Sequence, residues 1–193
     1  MALIQAFRRW LLHAMVPVTK LIGLIQKPEP KMSGEFAENA LKFLQDGDVL
    51  LSHNELNLTN LFIPGFWKHA AIYRQKYVVE AIGHGVVNTH VLKWILQHDN
   101  VIILRPKFAS AEHRRIAADI AQMQTGKQYD FELSPGIQSF YCSELVFWSY
   151  QRAMNGTSPF TMRKTLGVDT VVPTDFSNAK DKFEVIAEFK VSK

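Results

Sequence analysis

The chain has 193 residues, 47% of them hydrophobic, enough to bury one sizeable core and too few to make two independent domains the expectation. Its 22 Lys and Arg against 18 Asp and Glu leave a net charge of +4, an excess that suits an anionic surface without requiring one. With one cysteine, Cys142, an intramolecular disulfide and a Cys-rich zinc module are both excluded, so that thiol belongs either to the core or to chemistry.

The first 26 residues carry Arg8, Arg9 and Lys20 and no acidic residue among apolar positions such as Phe7, Trp10, Leu11 and Ile22, a basic amphipathic pattern. The apolar run is short and broken by His13, Pro17 and Lys20, which makes a poor membrane span. No small-x-small cleavage site follows it before Lys27-Pro28-Glu29-Pro30, which makes a poor secretory signal. Two readings stay open: the segment packs on its own domain or a partner, or it lies in a membrane interface with its cations towards headgroups. Residues 1–32 are expected to be this appendage and its linker, and residues 33–193 the folded domain.

Helical spacing of Phe36, Ala40, Leu41 and Leu44 predicts a helix over 36–44, ended by Asp46-Gly47 and followed by a strand at 49–51. Residues 54–66 mix Asn, Thr, Pro and Gly without a period and read as a loop that delivers His69 to a strand. Further strands are expected at 77–82, 85–89 and 101–104, an antiparallel meander, with a helical turn at 92–97. Ser110 can cap a helix over 111–124 whose inward stripe is Ile116, Ile120 and Met123. A second helix is expected to begin at Cys142 or Ser143 and to run to Met154, stopped by Asn155-Gly156, with a last strand over 183–191. The class is α+β, and the stretch 160–178 reads as loop.

Cys142 therefore stands where a loop becomes a helix. Unpaired N–H groups and the positive end of the helix dipole favour thiolate there, and the same N–H groups can face a developing oxyanion. A thiol nucleophile also needs an imidazole within hydrogen-bond reach, itself oriented by an acceptor. Among seven histidines, His69 begins an apolar strand directly after a loop, where a rigid scaffold meets a cleft. His84 and His90 remain possible third members. Glu80 lies in an apolar strand, where a carboxylate either faces solvent or finds a buried partner. With a two-residue turn at Arg74-Gln75, Tyr73 opposes Lys76 and His69 opposes Glu80 on one face, within reach of a hydrogen bond; a three-residue turn would reverse the facing unless a bulge intervenes.

The segments Gly47-Asp48-Val49-Leu50-Leu51-Ser52, Lys68-His69-Ala70-Ala71-Ile72-Tyr73, Val79-Glu80-Ala81, Tyr129-Asp130-Phe131 and Tyr141-Cys142-Ser143-Glu144-Leu145-Val146 together resemble the circularly permuted branch of the NlpC-type papain-like cysteine peptidases, the YiiX and YebB-like group. The resemblance runs from about residue 46 to 154, in an order that places His69 and Glu80 before Cys142. It implies a permuted papain-like fold, an antiparallel sheet packed against helices, and a triad of Cys142, His69 and Glu80. It also implies a cysteine peptidase or amidase that attacks an amide or ester carbonyl through a thioester acyl-enzyme, on a cell-wall-type peptide or other small amide. Tyr129 and Tyr141 flank the implied site, and Asp130 is placed to bind a substrate amine or to cap a turn.

Two other functions compete. One is a lipid-directed acyltransferase or thioesterase, because lecithin:retinol acyltransferase-like proteins share the permuted fold; their third member resembles histidine more than glutamate, and His84 is the close substitute here. The other is a non-catalytic binding module on the same fold. No cofactor is implied, His53, His69, His84 and His90 show no zinc-type spacing with Cys142, and Arg114-Arg115 is too isolated a basic pair for nucleic acid. The expected partners are a small peptide, amide or lipid substrate and, through residues 1–32, a membrane surface. The expected location is the cytoplasm, at a membrane where that segment engages lipid, with export the alternative.

Overall fold

The computed structural model describes residues 32–55, 63–131, 137–165 and 168–190. The basic amphipathic stretch 1–31 lies outside them, as do residues 56–62 of the loop before His69. Helix α1 (Gly34–Phe43) starts at Ser33, whose hydroxyl accepts the Phe36 N–H at 3.2 Å and satisfies one of the donors a helix start leaves unpaired. There follow β1 (Val49–His53), β2 (His69–Arg74), β3 (Tyr77–Ile82), β4 (Gly85–His90), α2 (Val91–Leu96), β5 (Asn100–Pro106) and α3 (Ala111–Gln122). Then come β6 (Gln128–Tyr129), β7 (Ser139–Phe140), α4 (Cys142–Ala153), β8 (Arg163–Thr165), β9 (Val168–Thr170), α5 (Pro173–Asn178) and β10 (Phe183–Phe189).

Six strands form one antiparallel sheet in the order β10-β5-β1-β2-β3-β4. Of the meander expected over 77–82, 85–89 and 101–104, the first two strands pair as β3 and β4, but β5 does not follow them: it crosses the sheet to lie between β1 and β10, and β1 sits between β2 and β5. Alternate residues of each strand serve opposite faces. Val49, Leu51, Ala70, Ile72 and Val79 pack with Ala117 and Ala121 of α3 and Leu145 and Tyr150 of α4. Leu50, Ala71, Val78 and Ile103 pack with Ala37 and Ala40 of α1 and Trp94 and Ile95 of α2. The sheet is thus covered on both faces, which is why Val49-Leu50-Leu51 reads as an unbroken apolar run instead of an alternation.

One expectation about α3 is corrected. Its buried residues are Ala117, Ala118 and Ala121, Ile116 and Ile120 are half-buried, and Met123 is 70% exposed. Small side chains let this helix approach α4 and β2 closely, and the helix stops at Gln122, so Met123 falls on the turn beyond it. Ser110 caps α3 as expected, accepting the His113 N–H at 3.2 Å. Helix α4 ends where Asn155 (φ 53°) and Gly156 (φ 92°) enter the left-handed region. The stretch read as loop, 160–178, contains the β8-β9 hairpin and α5, and Val171 and Phe176 from it join the α3–α4 side of the core.

Gly85 couples β4 to the segment that carries Tyr129. The Val86 N–H donates to Lys127 O at 2.8 Å and the Gly126 N–H to Val86 O at 2.9 Å. A Cβ on Gly85 would lie 2.3 Å from the Lys127 carbonyl oxygen, at a φ of +115° that side chains avoid. Gly85→Ala is expected to cost about 1–3 kcal/mol in a urea titration, because neither backbone can yield without breaking this pairing.

Candidate active site

Strand β7 and the chain just after it deliver Cys142 to the first position of α4. Three contacts fix that helix start. The Tyr141 N–H donates to Glu144 Oε2 at 3.3 Å, the Ser143 hydroxyl donates to Val171 O at 2.8 Å, and the Val171 N–H donates to the Tyr141 hydroxyl oxygen at 3.1 Å. Cys142 itself is 5% exposed, and the backbone N–H groups of Ala70 and Ser143 donate to its sulfur. The thiol from the α3–α4 side therefore meets the first residues of β2, at the end of the sheet where the two helical layers come together.

His69 is the first residue of β2 and bonds in both directions. Its ring hydrogen-bonds Cys142, and its Nε2 lies 2.7 Å from Glu80 Oε2, leaving Nδ1 as the nitrogen for sulfur. The β2-β3 register differs from the sequence expectation. Arg74 opposes Tyr77, so the turn residues are Gln75 and Lys76, with Gln75 at φ 47°, and Glu80 opposes Ala71. His69 and Glu80 still share a face, because the shift preserves parity, but they meet along the diagonal. Long side chains span a diagonal that shorter ones would leave open.

Glu80 is 5% exposed, and its carboxylate collects three donors. Oε2 accepts from His69 and from the Trp94 indole N–H at 2.8 Å, while Oε1 accepts from the Thr89 hydroxyl at 2.5 Å. Burial alone would raise its pKa, but the hydrogen bond and charge of His69 and the bonds from Thr89 and Trp94 hold it down at about 2. For His69, burial disfavours the cation, and the bonds and charges of Cys142 and Glu80 outweigh it, pushing the pKa up to about 10. For Cys142, burial opposes ionisation, and His69 together with the Ala70 and Ser143 N–H groups brings the thiol below its ordinary value. The arrangement favours a thiolate beside an imidazolium at neutral pH.

The other residues singled out in the sequence gather around the same thiol. Tyr129 is half-buried, with its ring 4.7 Å from that of Phe131, and Asp130 is 4% exposed. Burial and the negative charges of Cys142, Asp130 and Glu144 keep both Tyr129 and Tyr141 well above the usual tyrosine range, so each hydroxyl stays protonated. Glu144 was not foreseen as a site residue; burial raises its carboxyl to about 8, with the Tyr141 N–H opposing and the charge of Asp130 adding to the rise. Trp94 and Thr89 were not foreseen either, although a tryptophan in a short apolar helix carries one signal, an indole N–H that needs an acceptor when buried. His84 and His90 are both exposed, and neither completes the chain. His98 packs against Trp94 with the rings tilted at 49° and their centroids 4.4 Å apart, and lies 6.5 Å from His69 with the rings nearly parallel.

A thiol at a helix start, a histidine at a strand start and a carboxylate on the neighbouring strand thus stand together, with the histidine and the carboxylate preceding the thiol along the chain. The chain belongs to the Peptidase C92 family, described as permuted papain-like amidase enzymes of the YaeF/YiiX type, whose model matches residues 43–186. The solved structure described as metalloprotein yiiX from Escherichia coli O157:H7 shares the fold at a TM-score of 0.64 and 23% identity, over 76% of this chain and 98% of that one. No curated protein matched in sequence. Among the described residues, no group of three or more His, Cys, Asp and Glu could hold a metal ion, and no helix is long and apolar enough to cross a membrane.

Proposed function

We propose that the protein is a cysteine amidase in which Cys142 is the nucleophile, His69 the acid and base, and Glu80 the group that orients and charges His69. The observation that carries this reading is the continuous hydrogen-bonded chain from Cys142 through His69 to Glu80, placed at the start of α4. The thiolate adds to the amide carbonyl carbon, and His69 gives its proton to the departing amine as the C–N bond breaks. Water, deprotonated by His69, then attacks the thioester, releasing the acid and returning the thiol. Tyr129, held protonated next to the sulfur, can donate to the carbonyl oxygen as it gains charge, together with N–H groups at the helix start. The charge of Asp130 beside Tyr129 and Tyr141 favours a substrate with a cationic amine near the scissile bond, as in a small peptide or amino-acyl amide, while Glu144, its carboxyl raised to about 8, is mostly neutral at neutral pH.

The lipid-acyl alternative is weakened by the identity of the third group: Glu80 contacts His69, whereas His84 is exposed on the turn after β3. The membrane reading of residues 1–31 concerns residues outside the described ones. The single thiol fits a reducing compartment such as the cytoplasm. The test is acyl capture. The protein is mixed with p-nitrophenyl acetate, a long-chain acyl ester and a set of aminoacyl amides, and adducts are located by mass spectrometry. An acetyl group on Cys142, with turnover of the amides exceeding that of the long-chain ester, is the expected result. Turnover without any adduct or dependence on Cys142 would end the proposal, and preference for the long-chain ester would transfer it to the lipid-directed class.

A further inference from the structure

We propose that Trp94 and Thr89 are positioning residues of the site, holding Glu80 both ionised and aimed at His69; the inference rests on the amidase reading above. Three elements bring donors to one carboxylate on β3: His69 from β2, Trp94 from α2 and Thr89 from β4. A carboxylate this deeply buried has lost its water, and it keeps its charge only where protein donors replace that water. His69 cannot do this alone, because its own charge rests on Cys142 and on Glu80 being negative. Trp94 and Thr89 supply donors that do not titrate.

Their geometry also divides the work. Oε2 has two lone-pair directions; His69 takes one at 2.7 Å and Trp94 takes the other at 2.8 Å. Thr89 ties Oε1 on the opposite side, at 2.5 Å, so the carboxylate cannot turn about its own axis without losing a bond. Trp94 is 1% exposed, and its indole nitrogen can only donate, so the Glu80 contact is what makes that N–H tolerable in the core. A phenylalanine would fill nearly the same space without it. If these bonds served stability alone, their loss would weaken the fold and leave the titration of the site where it was. If they sustain Glu80, their loss lowers the pH at which His69 gives up its proton.

The readout is the rate of Cys142 alkylation by iodoacetate against pH. This anionic reagent is drawn by the imidazolium, so the rate falls on the alkaline side when His69 deprotonates. Glu80→Gln removes the charge and is expected to move that alkaline limb down by about 1–3 pH units. Trp94→Phe and Thr89→Val are expected to move it in the same direction by roughly half a unit or more, and Thr89→Ser to return it to the unmodified position. Thr89 is only partly buried, so the Val and Ser pair preserves the test if Trp94→Phe fails to fold. A limb that moves in Glu80→Gln but stays fixed in Trp94→Phe and Thr89→Val would refute the positioning role and leave the triad intact. A limb that ignores Glu80→Gln as well would remove Glu80 from the proposed triad, and this inference with it, whereas the acyl-capture test decides the amidase reading itself.

Discussion

Iodoacetamide should leave Cys142→Ala unlabelled and should label His69→Ala at least about 10- to 30-fold more slowly than the unmodified protein at pH 6. The figure follows from two opposing effects. Without its imidazolium, the thiol returns at best to an ordinary pKa of ~8.5, at which roughly one in 300 is ionised at pH 6. A more basic thiolate is also a better nucleophile, which recovers roughly 10- to 20-fold. Burial of Cys142 pushes the unassisted pKa higher still, so the net loss is a lower bound. Equal rates for the two proteins across pH 5 to 8 would show that His69 does not activate the sulfur.

Glu80→Ala should lower the unfolding free energy by about 3 kcal/mol at neutral pH, read from a urea transition. The substitution leaves an imidazolium, an indole N–H and a hydroxyl in a buried space with no acceptor. The value lies at the low end for breaking a buried pair because His69 can shed its proton and escape part of the cost. Glu80→Gln should be milder, about 1 kcal/mol, since its carbonyl oxygen can accept from His69 and Trp94 while its amide donates to the Thr89 oxygen. The pH dependence has a definite sign. The Glu80 pKa in the fold, about 2, is below the ordinary 4.5, so its contribution is complete above 4.5 and is lost as pH falls towards 2. The His69 pKa, about 10 against 6.5, gives a contribution complete below 6.5 and lost as pH rises through 10. Stability should therefore peak between about 4.5 and 6.5 on account of this pair, and Glu80→Ala should flatten both slopes. Unchanged slopes would mean that the two groups are not linked.

Much of this arrangement is legible in one dimension because its signals are local. Asn155-Gly156 marks the end of α4, Ser110 marks the start of α3, and period-two constraints place His69 and Glu80 on one face even when the turn is misplaced by one residue. The turn was misplaced because Gln75, not a glycine or asparagine, occupies the left-handed position, so residue type did not reveal it. What escaped the sequence depends on distant pairing. Strands β6 and β7 contain two residues each and find each other in parallel, too short a run for any periodicity. Met123 continues the apolar spacing of Ile116 and Ile120, yet the close approach of α3 to its neighbours is made through Ala117, Ala118 and Ala121. Trp94 and Thr89 were invisible as site residues because an indole and a hydroxyl gain meaning only from the carboxylate they meet.

Strand β4 is the outermost strand of the sheet on its side, paired within it to β3 alone. Edge strands open more readily than central ones, on free energies below that of global unfolding. Because Thr89 rides on β4 and reaches Glu80, which in turn sustains His69, each transient opening of that strand withdraws a bond from the chain that ends at sulfur. In the proposed triad, the reactivity of the thiol on the far helix is thereby tied to the breathing of a sheet margin, and amide exchange along residues 85–90 would count how often that thiol loses its support.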